Sequence, residues 1–180
     1  MHTNDTRVNQ LRVIEGVCDC CLKAGMQFCG GVANVRVDGQ SYYSSSSSLK
    51  SLGIPMHPVT KIETAEITKI AENAHRYLQI AFSEELYLYC QANNINFPEL
   101  RDAVNTKWNV EILEPREGIG GHCLPKDTKM FLQSSNERKS KILRAAMDVD
   151  EEYKRFRAKL EEEFNSAIIE GIESPKGKFL

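Results

Sequence analysis

The chain has 180 residues, 41% of them hydrophobic, enough to bury a core in one domain or in one domain with a fragment of another. Its net charge of -2 gives no electrostatic reason to expect a nucleic acid or an anionic membrane as partner. No uninterrupted apolar segment approaches the roughly 20 residues needed to cross a bilayer, and the opening residues lack the charged and apolar regions of a signal peptide. A cytoplasmic protein is expected, with its six cysteines as reduced thiols.

Residues 7 to 40 begin as an amphipathic segment. The spacing predicts a helix over about 18–28 and a short strand over 32–37, ending at the turn pair Asp38-Gly39. Cys18, Cys20, Cys21 and Cys29 cluster here. A usual zinc site has two residues between paired ligands and a second pair, or histidines, downstream, and this set departs from that pattern, so no metal is expected. From 41 to 60, a run of serines followed by Gly53, Pro55 and Pro58 reads as a flexible linker, too polar to bury the surface that would order it.

The dominant element is a helix predicted from Ile62 to about Asn93. Ile67, Ile70, Ala71, Ala74, Tyr77, Leu78, Ala81, Phe82 and Tyr89 recur at three- and four-residue steps and make one broad apolar face. Lys69, Asn73 and Arg76 form a polar stripe beside it, which by itself reads as a solvated edge. Asn93 and Asn94 end this helix, and Asn96 caps a second one, from Pro98 to about Thr106. Trp108, the one tryptophan, is expected in a core or an interface.

Residues 114 to 132 carry the chemistry. Gly118, Gly120 and Gly121 permit a sharp turn and the close approach of a ligand. Pro125 suits a first helical position, which puts Cys123 just ahead of a helix, beside unpaired N–H groups and the positive end of the dipole. Both favour a thiolate over a thiol. Lys126 and Asp127 follow Cys123 by three and four residues, close enough in a helix to project near its sulfur. Two readings stand: a poised nucleophile, or an inert buried cysteine in a glycine-rich turn.

Beyond it, residues 136 to 164 read as a densely charged helix. Its narrow apolar stripe of Ile142, Leu143, Ala146, Val149, Tyr153, Phe156, Leu160 and Phe164 is suited to docking on a neighbour or a partner chain. The end from Ser174 is expected to fray.

The run Gly-Ile-Gly-Gly-His-Cys-Leu-Pro-Lys-Asp, residues 118–127, resembles the catalytic-cysteine motif of the nucleotide-sugar 6-dehydrogenases, the UDP-glucose/GDP-mannose dehydrogenase family. With His122 before the cysteine and Asn-Val-Glu-Ile-Leu-Glu-Pro upstream, it is most similar to the UDP-N-acetylmannosamine and UDP-N-acetylglucosamine branch. Residues 65–76 resemble the family's second motif, in which the lysine and asparagine matching Lys69 and Asn73 face the cysteine. The resemblance implies that NAD oxidises a UDP-sugar at C6 to the aldehyde and then to the uronic acid. Cys123 would act as nucleophile, Lys69 and Asn73 as stabilisers of the oxyanion, and Asp127 as orienter or base for water. Lys126, Gly118, Gly120 and Gly121 would bind substrate or cofactor. This chain departs from the family at Glu15 and Glu84, which replace a glycine and an asparagine, and at Arg116, which replaces a loop glycine.

The expected fold is mainly α, a helical central dimerisation domain with one long helix, preceded by a small α/β remnant of a nucleotide-binding domain. The expected organisation is remnant over 1–40, linker over 41–60, central domain over 61–165 and tail over 166–180. No strand followed by Gly-x-Gly-x-x-Gly and a helix occurs, so the NAD site is expected to be missing and the chain to be inactive alone. Several functions compete: the cysteine-bearing domain of such an enzyme, as a fragment or a degenerate copy; a split-enzyme subunit with a separate NAD-binding chain as partner; a non-catalytic homodimerisation module; or a thiol or metal protein built on the cysteine cluster.

Overall fold

The structure, a computed structural model, describes residues 12–29, 35–37, 40–42, 56–134 and 140–169. The chain divides into two compact units, Met1–Lys69 and Ile70–Leu180.

In the first unit, β1 (Arg12–Ile14) leads into α1 (Asp19–Cys29), followed by β2 (Val35–Val37), β3 (Gln40–Tyr42) and β4 (Met56–Pro58). β1 and β4 pair in parallel, Arg12 against Met56 and Ile14 against Pro58. A parallel pair needs a long crossover, and α1 lies within that connection. β2 and β3 pair antiparallel, with Val37 opposite Gln40; the expected turn residues between them, Asp38 and Gly39, lie outside the described residues. Leu22, Met26, Met56 and Pro58 are buried. The stretch 41–60, read as a linker, opens with the end of β3 and closes with β4, while 43–55 lies outside the described residues. β1 was hidden in an amphipathic run because three residues are too few to display a period of two.

α2 (Ile62–Asn93) runs from the first unit into the second, with the bounds its periodicity and caps predict. It stops where Asn94 turns left-handed at φ 54°. The Ile95 N–H then donates to the Cys90 carbonyl at 2.9 Å, satisfying an end carbonyl as a helix C-cap does. α3 (Phe97–Val104) begins at Asn96, whose side chain accepts from the Glu99 N–H at 3.0 Å. It ends two residues before the expected Thr106. The Asn105 side chain instead reaches across the following loop, accepting from the Ile112 N–H and donating to the Ile112 carbonyl at 3.0 Å.

α4 (Cys123–Ser134) and α5 (Lys141–Ile169) complete the described elements. One apolar cluster joins Tyr77 and Ala81 of α2, Ile119 of the glycine loop and Ala146 of α5; a second joins Cys90, Phe97 and Ile112. Tyr87 bridges toward α5, its ring edge-on to Phe97, Tyr153 and Phe156 at centroid distances of 5.3, 5.6 and 6.3 Å. The apolar stripe of α5, read as docking on a neighbour or a partner chain, packs within its own unit at Leu143, Ala146 and Tyr153, which are buried, while Ile142 and Phe164 of the same stripe stay exposed. Trp108 is 97% exposed, which corrects its placement in a core of this chain. The tail from Ser174 lies outside the described residues.

Candidate active site

α4 starts two residues earlier than the proline implies. The Lys126 N–H donates to the His122 carbonyl at 3.2 Å, so His122 is the cap and Cys123 the first helical residue. Pro125 still fits, because the first N–H groups of a helix have no intrahelical acceptor to lose. Cys123 is exposed, which removes the reading of an inert buried cysteine. That description suits Cys90 instead, a fully buried thiol whose pKa burial pushes up.

The loop before Cys123 is held by a clamp of polar groups from α2 and α5. The Asp150 carboxylate accepts from the Ile119 N–H at 2.8 Å, from the Tyr77 hydroxyl at 2.9 Å and from Lys154 Nζ at 2.8 Å. Lys154 Nζ also donates to the Ile119 carbonyl at 2.8 Å, and the Tyr153 hydroxyl donates to the Arg116 carbonyl at 2.8 Å. Upstream, the Ser83 hydroxyl donates to the Leu113 carbonyl. Burial raises both tyrosines, Tyr153 to about 12, so each remains a neutral donor. The loop backbone lies so close to α5 that a Cβ on Gly118, at φ 94°, would stand 2.6 Å from Lys154 Cε. Gly121 also has positive φ, at 77°. Gly120 does not, and a Cβ there would meet nothing within 4 Å.

Beneath the cysteine, one turn further along α4, Asp127 is buried and its Oδ2 accepts from Asn73 Nδ2 at 2.5 Å. Asn73 is itself 5% exposed, so the polar stripe of α2 is no solvated edge at this position. Lys126 is half-exposed and its Nζ lies 3.4 Å from Asp127 Oδ1. Lys69 lies on α2 one turn before Asn73 and is exposed. Asn73 and Asp127, 54 residues apart, are thus brought together, a pairing that neither motif announced.

Sequence reading missed Asp150, Lys154 and the hydroxyls of Tyr77 and Tyr153. The available signal was the acid–base pair at i and i+4 in α5, Asp150 to Lys154, in a helix otherwise read by its apolar residues. It also left Glu84 without an account. Glu84 is fully buried with neither carboxylate oxygen hydrogen-bonded. Loss of water, then the negative charge of Asp150, push its pKa up to about 8, with Lys154 pulling the other way. At neutral pH it is mostly a neutral carboxylic acid, close in size and polarity to an amide. A cleft of about 780 Å³ lies apart from Cys123, lined by residues including Tyr87, Phe97, Pro98, Glu114, Phe156 and Arg157.

Fold and site define a helical domain that presents one exposed cysteine at a helix start, over a buried Asn–Asp pair. The chain belongs to the UDP-glucose/GDP-mannose dehydrogenase family, whose central domain matches residues 63–152. It is similar to the UDP-N-acetyl-D-mannosamine dehydrogenase of Campylobacter jejuni, 39% identical over 98 residues that cover 54% of this chain and 24% of that one. A UDP-D-ManNAc dehydrogenase structure from Pyrococcus horikoshii superposes with a TM-score of 0.56 at 32% identity, covering 68% of this chain and 28% of that chain. The UDP-N-acetyl-mannosamine dehydrogenase of Staphylococcus aureus, at 23% identity and a TM-score of 0.61 over 88% of this chain and 32% of its own, shares the fold. The match to the Campylobacter relative spans about a quarter of that protein's length.

Proposed function

We propose that this chain is the cysteine-bearing central domain of a nucleotide-sugar 6-dehydrogenase acting on a UDP-N-acetylhexosamine, with NAD as electron acceptor. The observation that carries this reading is the exposed Cys123 at the start of α4, one turn from an Asp127 fixed by Asn73. The turn from β1 to α1 carries the single glycine Gly16, where the dinucleotide fingerprint needs three. This turn therefore does not fit the pyrophosphate of NAD, and the hydride transfers belong to an NAD-binding part acting with this domain.

Within this domain, the Cys123 thiolate adds to the C6 aldehyde carbon and the carbonyl oxygen takes the electron pair as an alkoxide. Lys69 and Asn73 stabilise the oxyanion by charge and hydrogen bond. At the thioester stage Asp127 orients water and takes its proton, the thiol leaves, and the acid is released.

The test is NAD reduction with UDP-N-acetylmannosamine, UDP-N-acetylglucosamine and UDP-glucose, by the chain alone and with an NAD-binding domain of a relative added in trans. Turnover is expected only in the mixture, and Cys123→Ser abolishes it. Turnover that persists in Cys123→Ser would remove the nucleophile from this proposal.

A second reading, a homodimerisation module, is favoured by Phe82 and Tyr89. Both are 56% exposed on α2 while the apolar residues Tyr77, Ala81 and Cys90 of the same helix are buried. An absence of turnover in every mixture, with a stable dimer, would favour it.

A further inference from the structure

The N-terminal unit gathers three thiols that play no part in the reaction above. Cys20 and Cys21 lie in the first turn of α1 and Cys18 just before it, all three exposed. Cys29, grouped with them in the sequence, sits at the other end of α1 and outside the cluster. The backbone is bent to assemble them. A Cβ on Gly16 would stand 2.3 Å from the Leu22 backbone nitrogen, so only glycine lets the end of β1 fold this closely onto the helix start. The Leu22 N–H, donating to the Cys18 carbonyl at 3.0 Å, holds the bend. The Cys18 and Cys21 sulfurs consequently lie 3.3 Å apart, and the Cys21 N–H points at the Cys18 sulfur at 3.4 Å. All three sulfurs are within 4.8 Å of one another.

We propose that Cys18, Cys20 and Cys21 form a three-thiolate site for one thiophilic metal ion such as Zn²⁺, with a fourth position open to water or a solution ligand. Sulfurs held at about 2.3 Å around a tetrahedral ion stand roughly 3.8 Å apart. One separation is 3.3 Å and none exceeds 4.8 Å, so side-chain rotation suffices to close the site. Cys18 and Cys21 keep the two-residue spacing of paired zinc ligands, and Cys20 supplies the third sulfur. The spacing argued against a metal because no second pair follows; it could not show that the Gly16 bend brings all three sulfurs to one point. Thiolates select soft and borderline ions over Mg²⁺ or Ca²⁺. On binding, three S–H bonds give way to metal–sulfur bonds, three protons leave to the buffer, and no electron is transferred.

The test is titration of the reduced full chain with Cd²⁺, read by the ultraviolet sulfur-to-metal charge-transfer band, followed by competition with Zn²⁺. One Cd²⁺ per chain, displaced by Zn²⁺, is expected. Cys18→Ser and Cys21→Ser should each weaken binding by more than the roughly tenfold that loss of even an outer-sphere partner costs. Cys29→Ser should bind as the parent does, with circular dichroism confirming that every variant is folded. Unchanged affinity in both Cys18→Ser and Cys21→Ser, or a loss in Cys29→Ser, would overturn the site.

Discussion

A buried carboxylic acid stands at position 84, inside the second unit. Glu84 has no hydrogen-bond partner and its pKa is raised to about 8, so the folded protein favours the protonated form. An unfolded glutamate ionises near 4.3. Below that value both states carry the proton and no penalty arises. Between it and about 8 the unfolded chain gives up a proton that the folded chain keeps, so stability falls as pH rises, by up to about 1.4 kcal/mol per pH unit, and then levels off. Glu84→Gln keeps the shape and removes the ionisation. We expect it to flatten this part of the stability profile and to raise the urea midpoint at pH 8 more than at pH 5. A parallel shift at both pH values, or none, would mean that Glu84 is not the titrating group. The same substitution tests why a family position for asparagine tolerates glutamate here: the two are alike only while the acid is neutral.

Among the elements, the glycine loop shows that neighbouring glycines do different work. Gly118 is required twice over, by its φ of 94° and by the 2.6 Å approach to Lys154. An alanine there adopts a disfavoured left-handed conformation at roughly 1–2 kcal/mol. It also displaces Lys154 from Asp150, the carboxylate that holds the Ile119 N–H. Gly118→Ala should therefore destabilise by about 2–3 kcal/mol and slow alkylation of Cys123, as the loop loses its anchor. Gly120→Ala, with open space around it, should stay within about 0.5 kcal/mol of the parent. Denaturant unfolding with peptide mass spectrometry of the alkylated cysteine reads both, and equal effects at the two positions would refute the distinction. Sequence reading treated the two glycines alike because φ and α5 contacts depend on tertiary packing. It found α2 to the residue because 32 residues of helical periodicity and an Asn-Asn stop are local signals. It also named Asn73, Cys123 and Asp127, since each sits in a short motif. The Asp150 clamp escaped it because its partners lie 31 and 73 residues away in the chain.

For the whole molecule, the question is what α2 does with the apolar side it does not bury. Its inner side is covered by the loop and α5, through Tyr77 and Ala81. Phe82 and Tyr89 remain 56% exposed, and seven residues, two helical turns, separate them, so they fall on one stripe. Two exposed aromatics on one rigid helix suit an isologous contact, in which the same stripe from a second copy covers both. If the homodimer forms through this stripe, the parent chain elutes at twice its 20.4 kDa mass by light scattering. Phe82→Asp and Tyr89→Asp then give monomers with unchanged helix content, because neither side chain supports the core of its own chain. A parent that is monomeric at every concentration, or a dimer that survives both aspartates, would rule out this surface. Cys123→Ser should leave the dimer intact, which separates assembly from catalysis: the thiol lies on α4, at the end of the glycine loop, and the stripe on the outer side of α2.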